Sequence, residues 1–579
     1  MKFNRIIKLM FAGALALGLS SCSGFLNRPN EDNYNTANFY LNDEQCLQGV
    51  NYLYNSPWYD FQRGFIKIGE VMSGNMYWGS SPYMNFSTNG TDQDLVNMSY
   101  SLWAVNGHCN TVIKNILNSE GDISPGVKDQ AIGEALTLKA LAYFFMVRSF
   151  GEVPIVHDNS ELLGTGEYNE VKKVVRKDVY EYIIYTLETA MNLLPKKTSG
   201  WDNRIDYYAC EGLLAKVYLT KAGLGGSIDN NAVQKAAEYA EDVILHSGRS
   251  LTPVYSDIFR LAPATYNQAG EPMISWMWAA ARDPWTQQNT LQSDLGMNGF
   301  SETGDLWGGW GGPSVDLMDA FGVSPADNPS VRATEQDKRR KVTMMMAGDF
   351  YPYFWQDKGG FDVLRFMYDA EYGAGGPGEF CGPCGAQNCK HLYGNNADHE
   401  SALGKSADRM AYELPTHILR LADVYLIYAE ASFLTGNTAD ALEYVNKVRE
   451  RAGVTPLTSL TVKDIWKERR LELAGEGDYW YDFVRRSYYD MAGVKAELKA
   501  QRRNAWWNLN SVYKTWYESG KKTWEVDETE CRYDSDTPAP NVTDGVFTLP
   551  FPQEDVVNNP HLLEPAKEIN VRETYSYNF

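Results

Sequence analysis

Tryptophan side chains stand beside glycine, amide and hydroxyl residues at three places in this sequence. Aromatic rings offer flat apolar faces, and neighbouring amides can bond hydroxyl groups, so such clusters suit the binding of sugar rings. Glycines beside an exposed indole also let a ligand approach the backbone. The candidate ligand-binding residues of these clusters are Tyr77 and Trp78, Trp285, and Trp307 with Trp310.

Each of these aromatic residues also has a competing structural interpretation. The chain holds 16 Trp and 37 Tyr, and most buried aromatic side chains serve packing or protein interfaces. Trp276 and Trp278 alternate in a strand-like run, which predicts core positions for both. The sequence leaves open which of the other tryptophans contact a ligand.

A cysteine cluster allows two kinds of cross-link. Cys381 and Cys384 have the spacing of a redox motif, but the glycine-rich flanks show no βαβ pattern around them. Together with Cys389 and His391 they could supply four ligands to a structural zinc ion. Outside the cytoplasm a local disulfide is the plainer interpretation. The sequence does not decide between a disulfide and zinc, so no metal site is assigned.

The first 22 residues have the order of a lipoprotein signal. Lys2, Arg5 and Lys8 precede an apolar stretch at 9–19 that is too short to span a bilayer, and small residues then lead into Cys22. This pattern predicts a signal peptide at 1–21 and a diacylglycerol thioether on Cys22. Several acyl chains on one residue give a lasting membrane anchor. No other apolar run reaches membrane-spanning length.

Charge and motif content exclude several functions. A net charge of −21 argues against binding to nucleic acid. Residues 373–378 satisfy the G-x-G-x-x-G pattern of nucleotide sites but open no helix. The aspartate pairs Asp92/Asp94 and Asp534/Asp536 do not continue into a complete calcium loop. No zinc-protease helix or nucleophile elbow is present. We therefore expect no cofactor, no metal and no enzymatic activity.

Three helix pairs are predicted to position the loops. A helix from Gly133 has its partner at 178–194, and 207–222 pairs with 231–246. The third pair, 421–434 and 439–451, carries Ala429, Gly436 and Ala441 at the spacing of small residues in tetratricopeptide repeats. Arg420 and Asp423 stand three residues apart, a spacing that allows a shared helical face. The favoured alternative is an intramolecular clamp between the repeats.

The segments between and after these helix pairs differ in composition and periodicity. Residues 260–415 and 505–579 are rich in Gly, Pro, Trp and Tyr and show little helical periodicity, so we interpret them as loop-rich, ligand-binding insertions. The predicted organisation is a tether at 22–42 and a single domain at 43–579, with helical repeats at about 43–260 and 415–500. The fold class is mostly α: a tetratricopeptide-like scaffold of helical hairpins with long aromatic- and glycine-rich insertions.

The sequence resembles the SusD/RagB family of outer-membrane nutrient-binding lipoproteins. The resemblance covers essentially the whole mature chain, and its blocks follow in the order of the family. The blocks begin at Cys22–Leu26 and end at Leu549–Pro552 with Asn559-Pro560; between them lie Lys139–Phe144 with Phe150–Pro154, Asp178–Tyr180, Leu213–Leu219, Leu419–Val424, Tyr428–Ala431, Val445–Arg449 and Glu468–Leu473.

This resemblance implies a SusD-like fold and a role without covalent chemistry. The implied protein is anchored in the outer membrane by its lipid and faces the cell exterior. It delivers an oligosaccharide to a SusC-like TonB-dependent transporter. A peptide ligand, as in the RagB branch, is the first alternative, and a surface glycoside hydrolase is the second. The residues after Cys22 lack the acidic side chains common in surface-exported members, so the outward orientation is implied by the family and not by a local signal.

Overall fold

The computed structural model describes residues 39–261, 268–278, 289–301, 311–332, 336–373, 383–407, 410–577 and 579, leaving out the side chain of Glu161. In the N-terminal half the α-helices are α1 Asp43–Asn51, α2 Gln62–Ile66, α3 Gln93–Leu117, α4 Pro125–Phe150, α5 Asn159–Thr165, α6 Arg176–Leu193, α7 Tyr207–Lys221 and α8 Asn230–His246. A 3₁₀-helix, Ser56–Phe61, directly precedes α2, and a π-helix, Lys67–Met72, directly follows α2.

Short helices and the C-terminal hairpins follow. They are α9 Leu291–Leu295, α10 Val315–Phe321, α11 Pro329–Arg332, α12 Lys338–Thr343, α13 Val363–Tyr368, α14 Ala370–Gly373, α15 Asn396–Leu403, α16 Leu421–Leu434, α17 Thr438–Ala452, α18 Val462–Leu473, α19 Tyr479–Ser487, α20 Met491–Ala500, α21 Leu509–Glu518, α22 Gln553–Asn558 and α23 Val571–Thr574. Within the described residues, no helix is both long enough and apolar enough to cross a membrane.

The three predicted helix pairs are confirmed. Helix α4 packs against α6, α7 against α8, and α16 against α17. Helix α4 begins at Pro125 and not at Gly133, because Pro is well suited to a first turn and the polar residues after it are exposed. From Ala131 to Phe150 this helix is buried on every side, as expected of a helix at the centre of a large core.

The strands are short and pair antiparallel in twos. They are β1 Met76–Tyr77, β2 Val153–Pro154, β3 Lys173–Val174, β4 Pro272–Trp276, β5 Gly312–Pro313, β6 Met344–Met346, β7 Phe350–Tyr351, β8 Phe361–Asp362, β9 Ala386–Asn388 and β10 Thr416–Arg420. The pairs are β1 with β5, β2 with β3, β4 with β10, β6 with β9, and β7 with β8. Trp276 and Trp278 are buried, which confirms their predicted core positions.

The residues between the second and third helix pairs form a core of their own. Phe361 packs edge to face with Phe300 and Trp355, and Phe300 is tilted against Trp355, with ring centres 4.8–6.2 Å apart. The chain after α20 contributes Tyr513 and Trp516 to this same cluster. Rings in such arrangements add to the stability that comes from burial alone. The two loop-rich insertions are therefore packed against each other by aromatic contacts.

Buried ion pairs connect the C-terminal hairpins. Arg420 is 1 % exposed and binds Glu271 at 2.7 Å, Glu472 at 3.1 Å and Glu476 at 2.7 Å. Asp423 binds Lys216 of α7 at 2.8 Å and Arg469 of α18 at 2.7 Å. The clamp within the scaffold is therefore confirmed.

The alternative in which Arg420 and Asp423 share a helical face is wrong. Arg420 is the last residue of β10 and the N-cap of α16, and its backbone is extended, with φ −128° and ψ 157°. Asp423 lies in the first turn of the helix. Their three-residue spacing therefore does not follow helical geometry, and the two side chains join different ion-pair networks.

Candidate functional site

Trp78 lies at a corner formed by two paired strands. Strands β1 and β5 pair with Tyr77 opposite Gly312. Trp78 directly follows β1, and Gly311 directly precedes β5. A Cβ atom on Gly311 would lie 2.3 Å from Cε3 of Trp78. Only glycine allows the indole to pack this closely on the backbone, since real Cβ contacts are longer. Gly311 thus holds one side of the Trp78 ring.

A lysine approaches the same indole. The Nζ atom of Lys67, the first residue of the π-helix, lies 4.5 Å from the centre of the Trp78 ring. The same Nζ is 3.3 Å from Asp94 Oδ2 near the start of α3. A cation at this distance from an indole is attracted to the negative face of the ring. Trp78 is half-buried, so part of its surface is accessible to a ligand.

Polar side chains continue from this corner along one helical stretch. Tyr59, Arg63 and Lys67 stand four residues apart, a spacing that puts helical residues on one face. Arg63 lies 3.3 Å from Asp294 and 3.8 Å from Asp94, and Tyr59 is 38 % exposed. Burial raises the pKa of the Tyr59 hydroxyl, with a smaller contribution from Asp60 and Asp294. We call this set the Trp78 corner: Tyr59, Arg63, Lys67, Trp78, Asp94 and Asp294.

The other three candidate tryptophans lie outside the described residues. They are Trp285, Trp307 and Trp310. The chain is described again at Asn289 and Gly311, and both points adjoin the corner. The backbone N–H of Thr290 donates to Gln62 Oε1 at 2.9 Å, next to Arg63, and Gly311 contacts the Trp78 ring. Their roles as ligand contacts stay predictions.

Tyr77 has different surroundings from Trp78. It is half-buried and packs against a cluster that includes Val315 and Met344. Burial raises the pKa of its hydroxyl, with a smaller contribution from Cys384. Like Trp78, Tyr77 also packs against the main hydrophobic core. A ligand contact at Tyr77 also stays a prediction.

The cysteine cluster does not form the expected cross-links. Cys384 and Cys389 are free, buried thiols, and burial raises the pKa of Cys384 to about 12. His391 Nε2 contacts the carbonyl oxygen of Gly475 at 2.6 Å, and burial lowers its pKa to about 4. No group of three or more metal-ligating side chains occurs in the part of the chain that the structure describes. Both the disulfide at Cys384 and the zinc set are thus wrong, and Cys381 lies outside the described residues.

The aspartates considered for calcium have structural roles. Asp92 caps α3 by accepting from the Leu95 N–H at 3.0 Å, and it also accepts from the Tyr83 hydroxyl at 2.6 Å. Asp534 closes a turn by accepting from the N–H groups of Asp536 and Thr537. These contacts account for the carboxylates without a metal.

Sequence reasoning missed the residues that surround Trp78. Lys67 and Arg63 belong to no recognisable motif, and Asp294 is remote from them in sequence. Gly311 was recognisable only as part of the glycine-rich run around Trp307 and Trp310, not as a neighbour of Trp78. The four-residue spacing of Tyr59, Arg63 and Lys67 was the signal available for the helical stripe. Nothing in the sequence indicates that this stripe meets Trp78, because the contact depends on how the chain turns between the π-helix and β1.

Two family models match this chain. One, described as the SusD family, covers residues 277–565, and the other, described as starch-binding associating with outer membrane, covers residues 66–219. A SusD-like protein of Bacteroides ovatus is 30 % identical, over 96 % of this chain and 97 % of its own length. The chain belongs to the SusD family. Another SusD-like protein, from Formosa agariphila, is 26 % identical over 70 % of this chain and 75 % of its own length.

Solved structures agree with this membership. A structure determined with a xylogluco-oligosaccharide superposes with a TM-score of 0.74 at 27 % identity, over 92 % of this chain and 100 % of the other. A laminarin-binding SusD-like protein has a TM-score of 0.59 at 20 % identity, over 90 % of this chain and 98 % of the other. The SusD-like helical scaffold predicted from the sequence is therefore confirmed.

Proposed function

We propose that this SusD-family chain binds an oligosaccharide without cutting it. The Trp78 corner is the observation that carries the proposal. Its indole is held by Gly311 and Lys67 and remains partly accessible, so the ring has a fixed orientation before a ligand arrives. A preorganised aromatic face lowers the entropic cost of binding. The relative determined with a xylogluco-oligosaccharide, at 27 % identity, supports a glycan ligand.

The polar groups beside Trp78 fit the edges of a sugar ring. Arg63 and Lys67 can donate hydrogen bonds to hydroxyl oxygens, while Asp94 can accept them. The Tyr59 hydroxyl can do both. Ligand sites usually combine an apolar surface with a few well-placed polar groups, and the corner has this composition. Ligand contacts at Trp285, Trp307 and Trp310 are also proposed, from the sequence alone, because these residues lie outside the described part of the chain.

We further propose that the protein works at the outer membrane. The description of the model matching residues 66–219 supports an outer-membrane association. In this proposal Cys22 carries the lipid, residues 22–42 form the tether, and the outward-facing protein passes its glycan to a SusC-like TonB-dependent transporter. Labelling intact cells with an antibody tests the orientation, and co-purification with a TonB-dependent transporter from the same cells tests the partner.

A glycan panel separates this function from its alternatives. Purified protein is titrated calorimetrically with neutral oligosaccharides, including xylogluco-oligosaccharides, and with peptides of similar size. The proposal expects saturable heats with at least one glycan and no new reducing ends after prolonged incubation. Binding of peptides alone would indicate a RagB-like peptide carrier, and the release of reducing ends would indicate a glycoside hydrolase.

A further inference from the structure

A second concave surface lies apart from the Trp78 corner. It is a cavity of about 560 Å³ between the turn at Val254–Ser256, helices α11 and α12, and strand β7. Its volume is within the range of small-ligand sites. None of its lining residues belongs to the Trp78 corner. We call it the basic cavity; the lining residues used below are Val254, Arg332, Lys338, Lys341, Phe350 and Tyr353.

Among the described residues that line this cavity, basic side chains outnumber acidic ones. Its acidic residues, Asp337 and Asp349, are already engaged: Asp349 binds Arg340 at 3.0 Å, and Asp337 binds Arg339 at 2.9 Å. Three other basic residues of the lining have no carboxylate partner among the described residues; they are Arg332, Lys338 and Lys341. This surplus of positive charge occurs in a chain of net charge −21.

Arg332 is the most unusual of the three. It is only 5 % exposed, and its Nη1 and Nη2 atoms donate to the carbonyl oxygens of Asp327 and Ala347. Its Nε atom is buried and has no hydrogen-bond partner within the part of the chain that the structure describes. A buried cation without a counter-charge is costly, and an unmade hydrogen bond adds to that cost. An anion bound in the cavity would offset this cost.

Apolar surface accompanies the cations. Phe350 is 42 % exposed and Val254 is 54 % exposed, although both are large apolar residues. Tyr353 lines the same cavity and offers an aromatic ring with a hydroxyl group. Exposed apolar side chains beside unpaired cations suit a ligand that has both an apolar face and negative charge. A sugar ring bearing an acidic group has these two properties.

We propose that the basic cavity binds an anionic oligosaccharide. Its carboxylate or sulfate groups would pair with Lys338 and Lys341 beside the buried charge of Arg332, and its ring would pack on Phe350. This inference rests on the proposed function in taking the ligand to be a glycan. It goes beyond that function by adding a second site and a charge requirement.

A second cavity provides an internal comparison. The cavity of about 690 Å³ between α10 and helices α18–α20 is larger, yet it is lined by four basic and four acidic residues. Lys463 and Lys467 stand on its rim, four residues apart on α18, and both are exposed. Replacing them removes the same charge as replacing Lys338 and Lys341, but at a cavity with no surplus of positive charge.

The test compares these two double variants. Lys338→Gln/Lys341→Gln and Lys463→Gln/Lys467→Gln are titrated with an oligogalacturonate, its methyl ester, a sulfated carrageenan oligosaccharide and a glutamate-rich peptide. The inference expects the natural protein to bind at least one of the two acidic glycans. It expects a loss of about tenfold or more in the first variant only, because ion-assisted hydrogen bonds are removed there. Binding of the natural protein to the oligogalacturonate or to the carrageenan oligosaccharide shows whether the cavity takes carboxylate or sulfate groups.

Each contrary outcome overturns the inference. These outcomes are equal losses in both variants, equal binding of the methyl ester, binding of the peptide alone, and no binding of either acidic glycan. The neutral glycan panel is run on the same preparations. If neutral glycans bind while acidic glycans do not, the inference fails and the proposed function stands. If no glycan binds at all, the proposed function has failed with it.

Discussion

Lys67 shares its ammonium group between an aromatic ring and a carboxylate. Its Nζ lies 4.5 Å from the centre of the Trp78 ring and 3.3 Å from Asp94 Oδ2. The lysine is largely buried, so solvent screens these attractions only weakly. Trp78 is thus fixed by a charge on one side and by the Gly311 backbone at a second contact. The corner therefore depends on residues that do not themselves need to touch a ligand.

Replacing Lys67 tests this arrangement. We expect Lys67→Met to keep the apolar stem but to lose the attraction to Trp78, which is worth about 1 kcal/mol at a partly buried site. Glycan affinity should fall about fivefold when measured by calorimetry. Lys173→Met is the matched control, because Lys173 is a similarly buried lysine paired with Glu152 in the β2–β3 pair. Equal losses in both variants would show that Lys67 has no special role.

Gly311 should be intolerant of a methyl group. The Cβ of Gly311→Ala would lie 2.3 Å from Trp78, so the indole or the strand must move. We expect weaker glycan binding and a shift in tryptophan fluorescence, with the helical circular dichroism unchanged. Gly126→Ala serves as the control because its Cβ meets nothing within 4 Å. An affinity of Gly311→Ala equal to that of the natural protein would contradict the close packing of Trp78 on Gly311.

Arg420 should be essential for stability. Arg420→Met leaves Glu271, Glu472 and Glu476 buried with fewer counter-charges, and breaking a buried pair in this way costs about 3–5 kcal/mol. The midpoint of denaturant unfolding should fall accordingly. Arg572→Met should have little effect, since Arg572 is about half exposed and binds Glu181 and Glu188 at the surface. Equal midpoints for the two variants would contradict the structural role of Arg420.

Stability should decrease as the pH falls below about 6.5. Burial lowers the pKa of His157, His391 and His417 to about 4, below the ordinary value near 6.5. Between these values the unfolded chain binds more protons, so the free energy of unfolding falls as the pH is lowered. The stabilising contribution is complete above about pH 6.5 and is lost as the pH falls through about 4.

Melting temperatures between pH 4 and pH 7 measure this effect. His417→Gln should flatten the dependence, because His417 contacts Ser275 and Ile258 in the neutral state and charging disrupts that arrangement. The exposed His246 provides a control variant, His246→Gln, which should keep the slope of the natural protein. A slope that is unchanged in His417→Gln would refute the assignment for that residue.

The scaffold was predictable because its signals are local. Apolar residues three and four apart marked α16 and α17, and the small residues at their crossing marked the hairpin. The role of Arg420 could not be read in the same way. Its spacing to Asp423 resembles a helical pair, but the chain changes from strand to helix between them, and only the β4–β10 pairing reveals this change.

The candidate site was predictable only in part. Trp78 was recognisable from its type and its neighbours, but its partners Lys67 and Gly311 come from segments that meet only in the fold. The cysteine cluster misled for a related reason. Sequence spacing suggested a cross-link, whereas Cys384 and Cys389 are separate buried thiols that pack as apolar side chains. Spacing predicts contacts within one element far better than contacts between elements.

Trp78 is proposed to be an energetic centre of glycan binding. Its direct test is a calorimetric titration of Trp78→Ala with the neutral glycan that the natural protein binds most tightly. Trp507→Ala serves as the control, because Trp507 is 46 % exposed and lies outside the corner. We predict a loss of at least about 2 kcal/mol, or about thirtyfold in affinity, for Trp78→Ala and no change for Trp507→Ala. An unchanged affinity in Trp78→Ala, with the protein folded, would show that Trp78 is not an energetic centre of glycan binding.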